Sequence, residues 1–292
     1  MSVNLKVIMK QILLFSIALF SGCLSTGAQQ IFKDKQKIEP YQNFGRAKYE
    51  VAYLHHAEDP YVEPGKVMER DNEMILLIGD KYSQYRSIGR LRYDSVMNTY
   101  SGKYLSGMEQ LGIAHSTNMS GTNYYLVRDH SNNDSITIQE ELMSIRELGP
   151  SGGYSFYRAI YTDEAPQIQW EITDEKKQIS GRTVTKATGR HHGRDWTVWF
   201  DEEIPISEGP WELTGLPGLI LEASDAKGEH KFFLMHMKPS NREMLQRSEK
   251  GFTRTTREKV NKFRRESADA ENANYKSGKR SFSSFSNFIE LE

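Results

Sequence analysis

Cysteine is almost absent from this chain of 292 residues, since Cys23 is the only one. A single thiol excludes an internal disulfide, so we expect the folded part of the chain to be stabilised by its core alone. The sequence also has no GxSxG, HExxH, P-loop or GxGxxG pattern in a suitable context. We therefore predict no cofactor, and we favour a non-catalytic protein over an enzyme with a non-standard site.

The sequence also has no large excess of positive or negative charge, and it has few long apolar runs. The chain has 38 Lys and Arg against 39 Asp and Glu, and this balance argues against general nucleic-acid binding. Beyond residue 28, no apolar stretch approaches the roughly 20 residues that a membrane-spanning helix needs. The sequence predicts neither a nucleic-acid partner nor a membrane span.

The N-terminus has the layout of a secretory signal peptide over residues 1–28. Lys6 and Lys10 precede an apolar run that extends from residue 12 to residue 20, and small residues follow as far as Ala28. The apolar run is too short to cross a bilayer. The pattern predicts a protein that is exported from the cytoplasm.

Two processing routes fit this N-terminus. Cleavage after Ala28 would leave Gln29 as the first residue, whereas residues 20–23 resemble a lipobox that would leave Cys23 acylated. Phe20 stands where a lipobox usually has Leu. We therefore favour simple cleavage over a lipid anchor at Cys23.

Aromatic residues and short alternating segments predict a mainly β (α+β) protein. The chain has 15 Tyr, 13 Phe and 4 Trp, which is ample material for a sheet core. Short β-like segments recur between turn residues, which predicts a curved antiparallel sheet over residues 45–240, folded as a barrel, half-barrel or sandwich. Residues 29–44 form a polar segment before it. The predicted strands are 46–54, 73–78, 81–87, 123–128, 135–139, 154–161, 169–172, 182–188, 196–200, 219–223 and 231–237.

The C-terminal part, residues 241–292, has a different pattern. Residues 241–273 are predicted to be helical, with a break at Gly251 and a cap at Thr255 or Thr256. Between positions 241 and 265 nine basic residues stand against three acidic ones, which we interpret as a solvated helix. The tail is predicted to dock on the sheet through Phe282, Phe285, Phe288, Ile289 and Leu291.

Residues 170–220 carry an ordered set of motifs. Trp170 is followed by Gly193-Arg194-Asp195-Trp196, by Glu203-Ile204-Pro205-Ile206, by Gly209-Pro210 and by Gly215-Leu216-Pro217-Gly218-Leu219-Ile220. This set resembles the GLPGLI family, which is named for the last motif. Residues 287–291 also match, although the family usually has Pro where Phe288 stands.

The resemblance implies an exported protein of a Gram-negative bacterium, located in the periplasm or associated with the outer membrane. It implies no activity, because the family's molecular role is not established. Many members have Cys near Val184, and its absence here argues against a general thiol-based role.

The motif residues have structural interpretations that we favour over functional ones. Pro217-Gly218 is predicted to form a type II turn, with Gly218 at positive φ, so that Leu219 and Ile220 enter a buried strand. The alternative is a rigid loop that shapes a ligand pocket. Trp196 and Trp199 are predicted to lie on opposite faces of one strand, one in the core and the other packed or lining a groove.

Two sets of polar residues are speculative sites. His191, His192, Asp195 and Asp201 bracket the strand 196–200 and are expected to meet at its end as a catalytic group, if the protein is a hydrolase. His230 and His236 are expected to share a strand face and suggest a soft-metal site for copper. Their spacing matches no standard metal motif, so no metal ligand is assigned.

Three functions remain open at this point. The first is an exported envelope protein that binds a lipid, a peptide or an envelope protein partner on a β scaffold, without catalysis. The second is an envelope hydrolase, and the third is copper handling. A deep apolar cavity would favour binding, whereas a polar cleft with clustered carboxylates or histidines would favour catalysis.

Overall fold

The computed structural model describes residues 34–63, 66–117, 124–131, 134–144, 155–276 and 289–290. The predicted signal peptide, Cys23 and the three tail phenylalanines lie outside these ranges. The strands are β1 (Lys35–Lys37), β2 (Gln42–Arg46), β3 (Tyr49–Glu63), β4 (Lys66–Ile78), β5 (Tyr82–Ser87), β6 (Tyr104–Ser106), β7 (Tyr124–Asp129), β8 (Ser135–Ser144), β9 (Ser155–Glu164), β10 (Glu171–Ile179), β11 (Arg182–His191), β12 (Arg194–Asp201), β13 (Leu219–Asp225), β14 (His230–Pro239), β15 (Glu243–Gln246) and β16 (Thr253–Arg254). The helices are α1 (Ile88–Asn98), α2 (Gly107–Ser116) and α3 (Arg257–Lys276).

One large sheet dominates the fold. Its twelve strands follow the order β10-β11-β12-β13-β14-β3-β4-β5-β7-β8-β9-β16. The pairs are antiparallel except for the short parallel pair of β9 and β16. The predicted mainly β, antiparallel fold is confirmed. The sheet stays open, with β10 and β16 at its two ends, so the barrel alternative is wrong.

The sheet packs around an inner loop, which we define as residues 202–218. Trp211, Leu213 and Leu216 of this loop are buried in one core cluster with residues from both halves of the sheet. In one half, Arg128 on β7 donates to the carbonyl oxygen of Ser207 at 3.2 Å. At the other end, the indole nitrogen of Trp170 donates to the carbonyl oxygen of Thr214 at 2.8 Å. The inner loop therefore joins the two halves of the sheet.

Gly218 has a different role from the one expected. It does not have a positive φ, so the predicted type II turn with Gly218 in that conformation is wrong; the neighbouring Gly215 has a φ of 95°. A Cβ on Gly218 would lie 2.2 Å from the backbone oxygen of Asp201. The position requires glycine because two backbone segments pass in contact there. Leu219 and Ile220 are fully buried at the start of β13, as predicted.

The predicted helix over residues 241–273 is wrong in its first half. Glu243–Gln246 is strand β15, which pairs with β2, and helix α3 begins only at Arg257. Pairing with a distant strand and burial of Met244 override the local helical pattern here. Helix α1 ends at Asn98 and is followed by the short strand β6. Across the described ranges, no helix has the length and apolar character needed to cross a membrane.

Candidate functional site

The turn between β11 and β12 places two adjacent histidines at one end of the sheet. His191 pairs with Arg194, and His192 and Gly193 occupy the two turn positions, with φ of 44° and 75°. A type I′ hairpin turn has positive φ at both positions, a conformation uncommon for a residue other than Gly, Asn or Asp. The two imidazole rings lie 3.9 Å apart. An unusual backbone conformation at a polar cluster suggests function.

Glu212 of the inner loop lies against both histidines. Its Oε2 is 3.0 Å from Nε2 of His192 and 3.4 Å from Nε2 of His191. Trp211, also at positive φ, packs beside the two imidazoles, with ring centroids 5.1 Å and 5.6 Å away. One ligand atom from each of His191, His192 and Glu212 lies within 4.8 Å of the others. We call these three residues the Glu212 cluster.

Arg257 at the start of α3 holds the other side of Glu212. Its Nη2 donates to Glu212 Oε1 at 2.9 Å, its Nε donates to Asp163 at 2.6 Å, and its Nη1 donates to Glu290 at 2.7 Å. The guanidinium also lies over the ring of Tyr161. The solvated helix expected from the basic residues is therefore wrong at this position, because Arg257 is only 13% exposed and makes three ion pairs.

A polar cleft of about 300 Å³ opens beside the Glu212 cluster. It lies where β9, the segment that follows it, the β11–β12 turn, the inner loop and α3 meet. Its lining residues are Asp163, Glu164, Pro166, Gln167, Ile168, Arg190, His191, His192, Glu212 and Arg257. The cleft is lined by carboxylates, guanidinium groups and imidazoles, so it is not the deep apolar cavity that lipid binding requires.

Burial and neighbouring charges set the protonation of the cluster. Burial opposes ionisation of Glu212, but His191, His192 and Arg257 outweigh this effect and hold the pKa of Glu212 well below its usual range. Burial lowers the pKa of His191, against the opposite effect of Glu212. His191 is therefore neutral near pH 7. Its Nε2 is buried, and at 3.4 Å from Glu212 Oε2 any hydrogen bond between the two atoms is weak.

The fold does not bring Asp195 and Asp201 to this cluster. Asp195 is exposed and pairs with Arg190 at 3.2 Å. Asp201 is fully buried at the far end of β12 and accepts from Arg182 at 3.0 Å. Strand β12 has eight residues, so its length separates Asp201 from His192 by roughly 23 Å. The expected meeting of His192 and Asp201 at one strand end is wrong.

The expected copper site does not form either. Strand β14 has a bulge between Leu234 and His236, which reverses the alternation of side chains beyond it. His230 is buried, with its Nδ1 3.2 Å from Nε2 of His55, whereas His236 is exposed on the other face. The expectation that His230 and His236 share a face is therefore wrong.

The tryptophans and the family motif build the scaffold. Trp196 is buried in the core against Trp211, and Trp199 lies on the opposite face beneath the Lys177 ammonium, as alternation predicts. None of the motif residues Gly215, Leu216, Pro217, Gly218, Leu219 and Ile220 lines the cleft. They shape the inner loop that carries Glu212. Glu212 stands between Gly209-Pro210 and this motif, and that position is the signal by which it could have been found.

Comparison with known proteins covers only part of the chain. Residues 145–222 match a family described as "Protein of unknown function (Porph_ging)", which is compatible with a GLPGLI-type family. No curated protein matches the chain.

Among solved structures, the chain is similar to PNGF-II in two crystal forms. In space group P21 the TM-score is 0.44 at 13% identity, covering 74% of this chain and 33% of PNGF-II. In space group C2 the TM-score is 0.42 at 14% identity, covering 74% and 32%. The chain thus spans about a third of the length of PNGF-II. A likeness of this size carries no information about activity.

Proposed function

We propose that this chain is an exported protein of the Gram-negative cell envelope, of the GLPGLI type, that binds a peptide or a protein partner in the polar cleft. Export is supported by the basic, apolar and small segments of residues 1–28. The family type is supported by the ordered motifs of residues 170–220. We place the protein in the periplasm or at the outer membrane.

The observation that carries the proposal is the mixed charge of the cleft. Asp163 and Glu164 offer carboxylates, whereas Arg190 and Arg257 offer guanidinium donors in the same space. A peptide presents amide donors, carbonyl acceptors and charged side chains or termini, so it can pair with both kinds of group. An acyl chain offers these charged groups no hydrogen bond and would displace the water that solvates them, which is unfavourable. Of the three partners considered, a lipid therefore fits least well.

The size of the cleft limits what it can hold. Ligand pockets usually measure about 300–1,000 Å³, and this cleft lies at the lower limit. It has room for one side chain or one chain terminus of a larger partner. We therefore expect the rest of the partner to lie outside the cleft, on the surface around it.

Site-specific photo-crosslinking in cells tests this proposal. A photoreactive amino acid in place of Gln167, an exposed residue of the cleft, should capture a protein or peptide partner. The matched control is the same replacement at Asp174, which is exposed on β10 and outside the cleft. Capture of lipid alone at position 167, or equal capture at 167 and 174, would overturn the proposal.

Hydrolysis in the same cleft is a second candidate, favoured by one observation. Histidines and a carboxylate do cluster at the cleft, although Glu212 takes the place expected for Asp201. Incubation with a mixture of peptides, followed by mass spectrometry, should then reveal cleavage that a His192→Asn variant lacks. Equal cleavage by the variant, or no cleavage by the wild type, would exclude this candidate.

A further inference from the structure

The geometry of the Glu212 cluster points to a metal site. We propose that His191, His192 and Glu212 bind one divalent transition-metal ion of the zinc class, with the remaining coordination position facing the cleft. This inference rests on the proposed function, because the ion would lie where the partner binds and would offer it a coordination position.

The distances within the cluster fit such an ion. Zinc binds nitrogen and oxygen ligands at about 2.0–2.1 Å, so ligand atoms at tetrahedral angles lie about 3.3 Å apart. The two distances from Glu212 Oε2 to Nε2 of His192 and to Nε2 of His191 are 3.0 Å and 3.4 Å. One ring nitrogen of each imidazole and one oxygen of Glu212 lie within 4.8 Å of one another. A small inward adjustment would bring all three atoms to one ion.

The kind of ligand selects the kind of metal. Two imidazoles and one carboxylate are a common ligand set of zinc sites with an open position. Magnesium and calcium prefer sites made wholly of oxygen ligands, and copper(I) prefers thiolates and thioethers. The cluster contains neither of these sets, so an ion of the zinc class fits best.

A poorly matched buried nitrogen gives independent support. Nε2 of His191 points at the cluster, its side chain is 9% exposed, and the Glu212 oxygen that faces it is 3.4 Å away, too far for a strong hydrogen bond. His192 already makes the hydrogen bond to Glu212 Oε2. A buried nitrogen without a good hydrogen bond is unfavourable, and coordination of an ion by its lone pair would remove this penalty.

The surroundings orient the ligands. Arg257 donates to Glu212 Oε1 and leaves Oε2 directed at the histidines, which is the usual role of residues that support a metal ligand. The positive charge of Arg257 is balanced by Asp163 and Glu290.

Calorimetric titration of the untagged, metal-free protein with zinc sulfate is the test. We expect one Zn²⁺ per chain, and we expect His192→Asn to weaken binding at least 100-fold. Asn tolerates positive φ, so this variant keeps the turn while it removes the imidazole. The matched control His236→Ala removes an exposed histidine outside the cluster and should bind as the wild type does. Zinc bound no more tightly by the wild type than by His192→Asn would overturn the proposal.

A spectroscopic measurement covers the case in which a variant fails to fold. Cobalt(II) in the wild-type site should give the strong visible absorption of four-coordinate cobalt, and a stoichiometric amount of Zn²⁺ should abolish it. Weak absorption typical of hexa-aqua cobalt would overturn the proposal without any variant. If zinc fails to bind while crosslinking at position 167 succeeds, the proposal of a partner in the cleft is retained and the proposal of a metal site is rejected. If zinc binds but position 167 captures nothing specific, the metal site is retained and only the proposal of a peptide or protein partner is rejected.

Discussion

The Asp94 cluster and the Glu212 cluster are two groups of buried charge that differ in their access to solvent. The Asp94 cluster lies beneath helix α1, where Arg86 and Tyr41 donate to the Asp94 carboxylate at 3.1 Å and 2.8 Å, together with Tyr125. The Glu212 cluster lies beside the cleft, where two imidazole nitrogens face one carboxylate oxygen and only His192 makes a strong hydrogen bond.

The difference separates a structural cluster from a candidate binding cluster. Around Asp94, each of these contacts joins a donor to an acceptor, and the side chains of Asp94 and Arg86 are buried. Around Glu212, the buried Nε2 of His191 is poorly matched and the cluster opens on a cleft. The Asp94 cluster also has a buried atom without a hydrogen bond, Nε of Arg86, but the Arg86 side chain has no access to solvent. A poorly matched group that is enclosed in the core belongs to the fold, whereas one beside a cleft is available to a ligand.

The largest effect is expected at Asp94. Asp94→Ala would leave the buried Arg86 without its ion-pair partner, and removal of one partner of a buried pair costs about 3–5 kcal/mol. Urea unfolding should show this loss, and Asp94→Asn should lose less because it keeps the shape and part of the hydrogen bonding. If Asp94→Ala lowers the free energy of unfolding by less than about 1 kcal/mol, the Asp94 cluster is not a structural cluster and the distinction from the Glu212 cluster is wrong.

A second large effect is expected at Gly218, which positions the inner loop but contacts neither cluster. Gly218→Val would press a side chain against the backbone of Asp201, and overpacking of this kind costs about 1–3 kcal/mol or more. Pro217→Ala should be mild, since it mainly frees the unfolded chain. Thermal melts of the two variants compare them directly. A Gly218→Val protein as stable as the wild type would show that the contact with Asp201 is not rigid.

Much of the sheet was predictable from local patterns. The hairpin of β13 and β14 is visible because two apolar segments flank the turn 225–228. Helix α1 was only partly predictable, because its buried side includes Arg90 and Asp94, and charged residues at such positions hide the apolar stripe. Strand β15 was unpredictable, because its partner β2 lies about 200 residues earlier in the chain.

The candidate site was predictable only in part. His191 and His192 are visible in the sequence because they are adjacent, and the nearest acidic residues, Asp195 and Asp201, are the carboxylates that the sequence predicts beside them. Glu212 was missed because the inner loop returns to the turn only in the folded chain. Arg257 was missed because a basic residue in a helix has the same pattern whether it is solvated or paired. The positions of Glu212 and Arg257 at the site depend on long-range contacts, which local sequence patterns do not encode.

A small effect is expected at His192 in the absence of metal. His192→Asn removes one hydrogen bond from a partly exposed turn, and a net hydrogen bond contributes about 0.5–1.5 kcal/mol. Asn also suits the positive φ of this position, which offsets part of the loss. Urea unfolding in the presence of a chelator should therefore show a change near 1 kcal/mol or below. A loss as large as that of Asp94→Ala would mean that the Glu212 cluster is structural.

The smallest expected effect concerns the pH dependence of stability. It arises from His130, which contacts Glu208 of the inner loop. His130 on the β7 side lies 3.1 Å from Glu208 of the inner loop and 3.3 Å from Asp134, with Arg128 also facing these carboxylates. The hydrogen bond to Glu208 raises the pKa of His130 above its ordinary value, although burial and Arg128 oppose this. The protonated form is therefore favoured by the fold.

A raised pKa fixes the sign of the pH dependence. The contribution of His130 to stability is fully present below the ordinary histidine pKa, near 6.5, and is lost as pH rises through the higher pKa of the folded state. The difference in unfolding free energy between the wild type and His130→Gln should therefore shrink as pH rises from about 6 to 9. His191, whose lowered pKa acts in the opposite sense, is present in both proteins and cancels from the difference. Urea unfolding at several pH values measures it, and a difference that grows with pH would mean that Glu208 does not hold a charged His130.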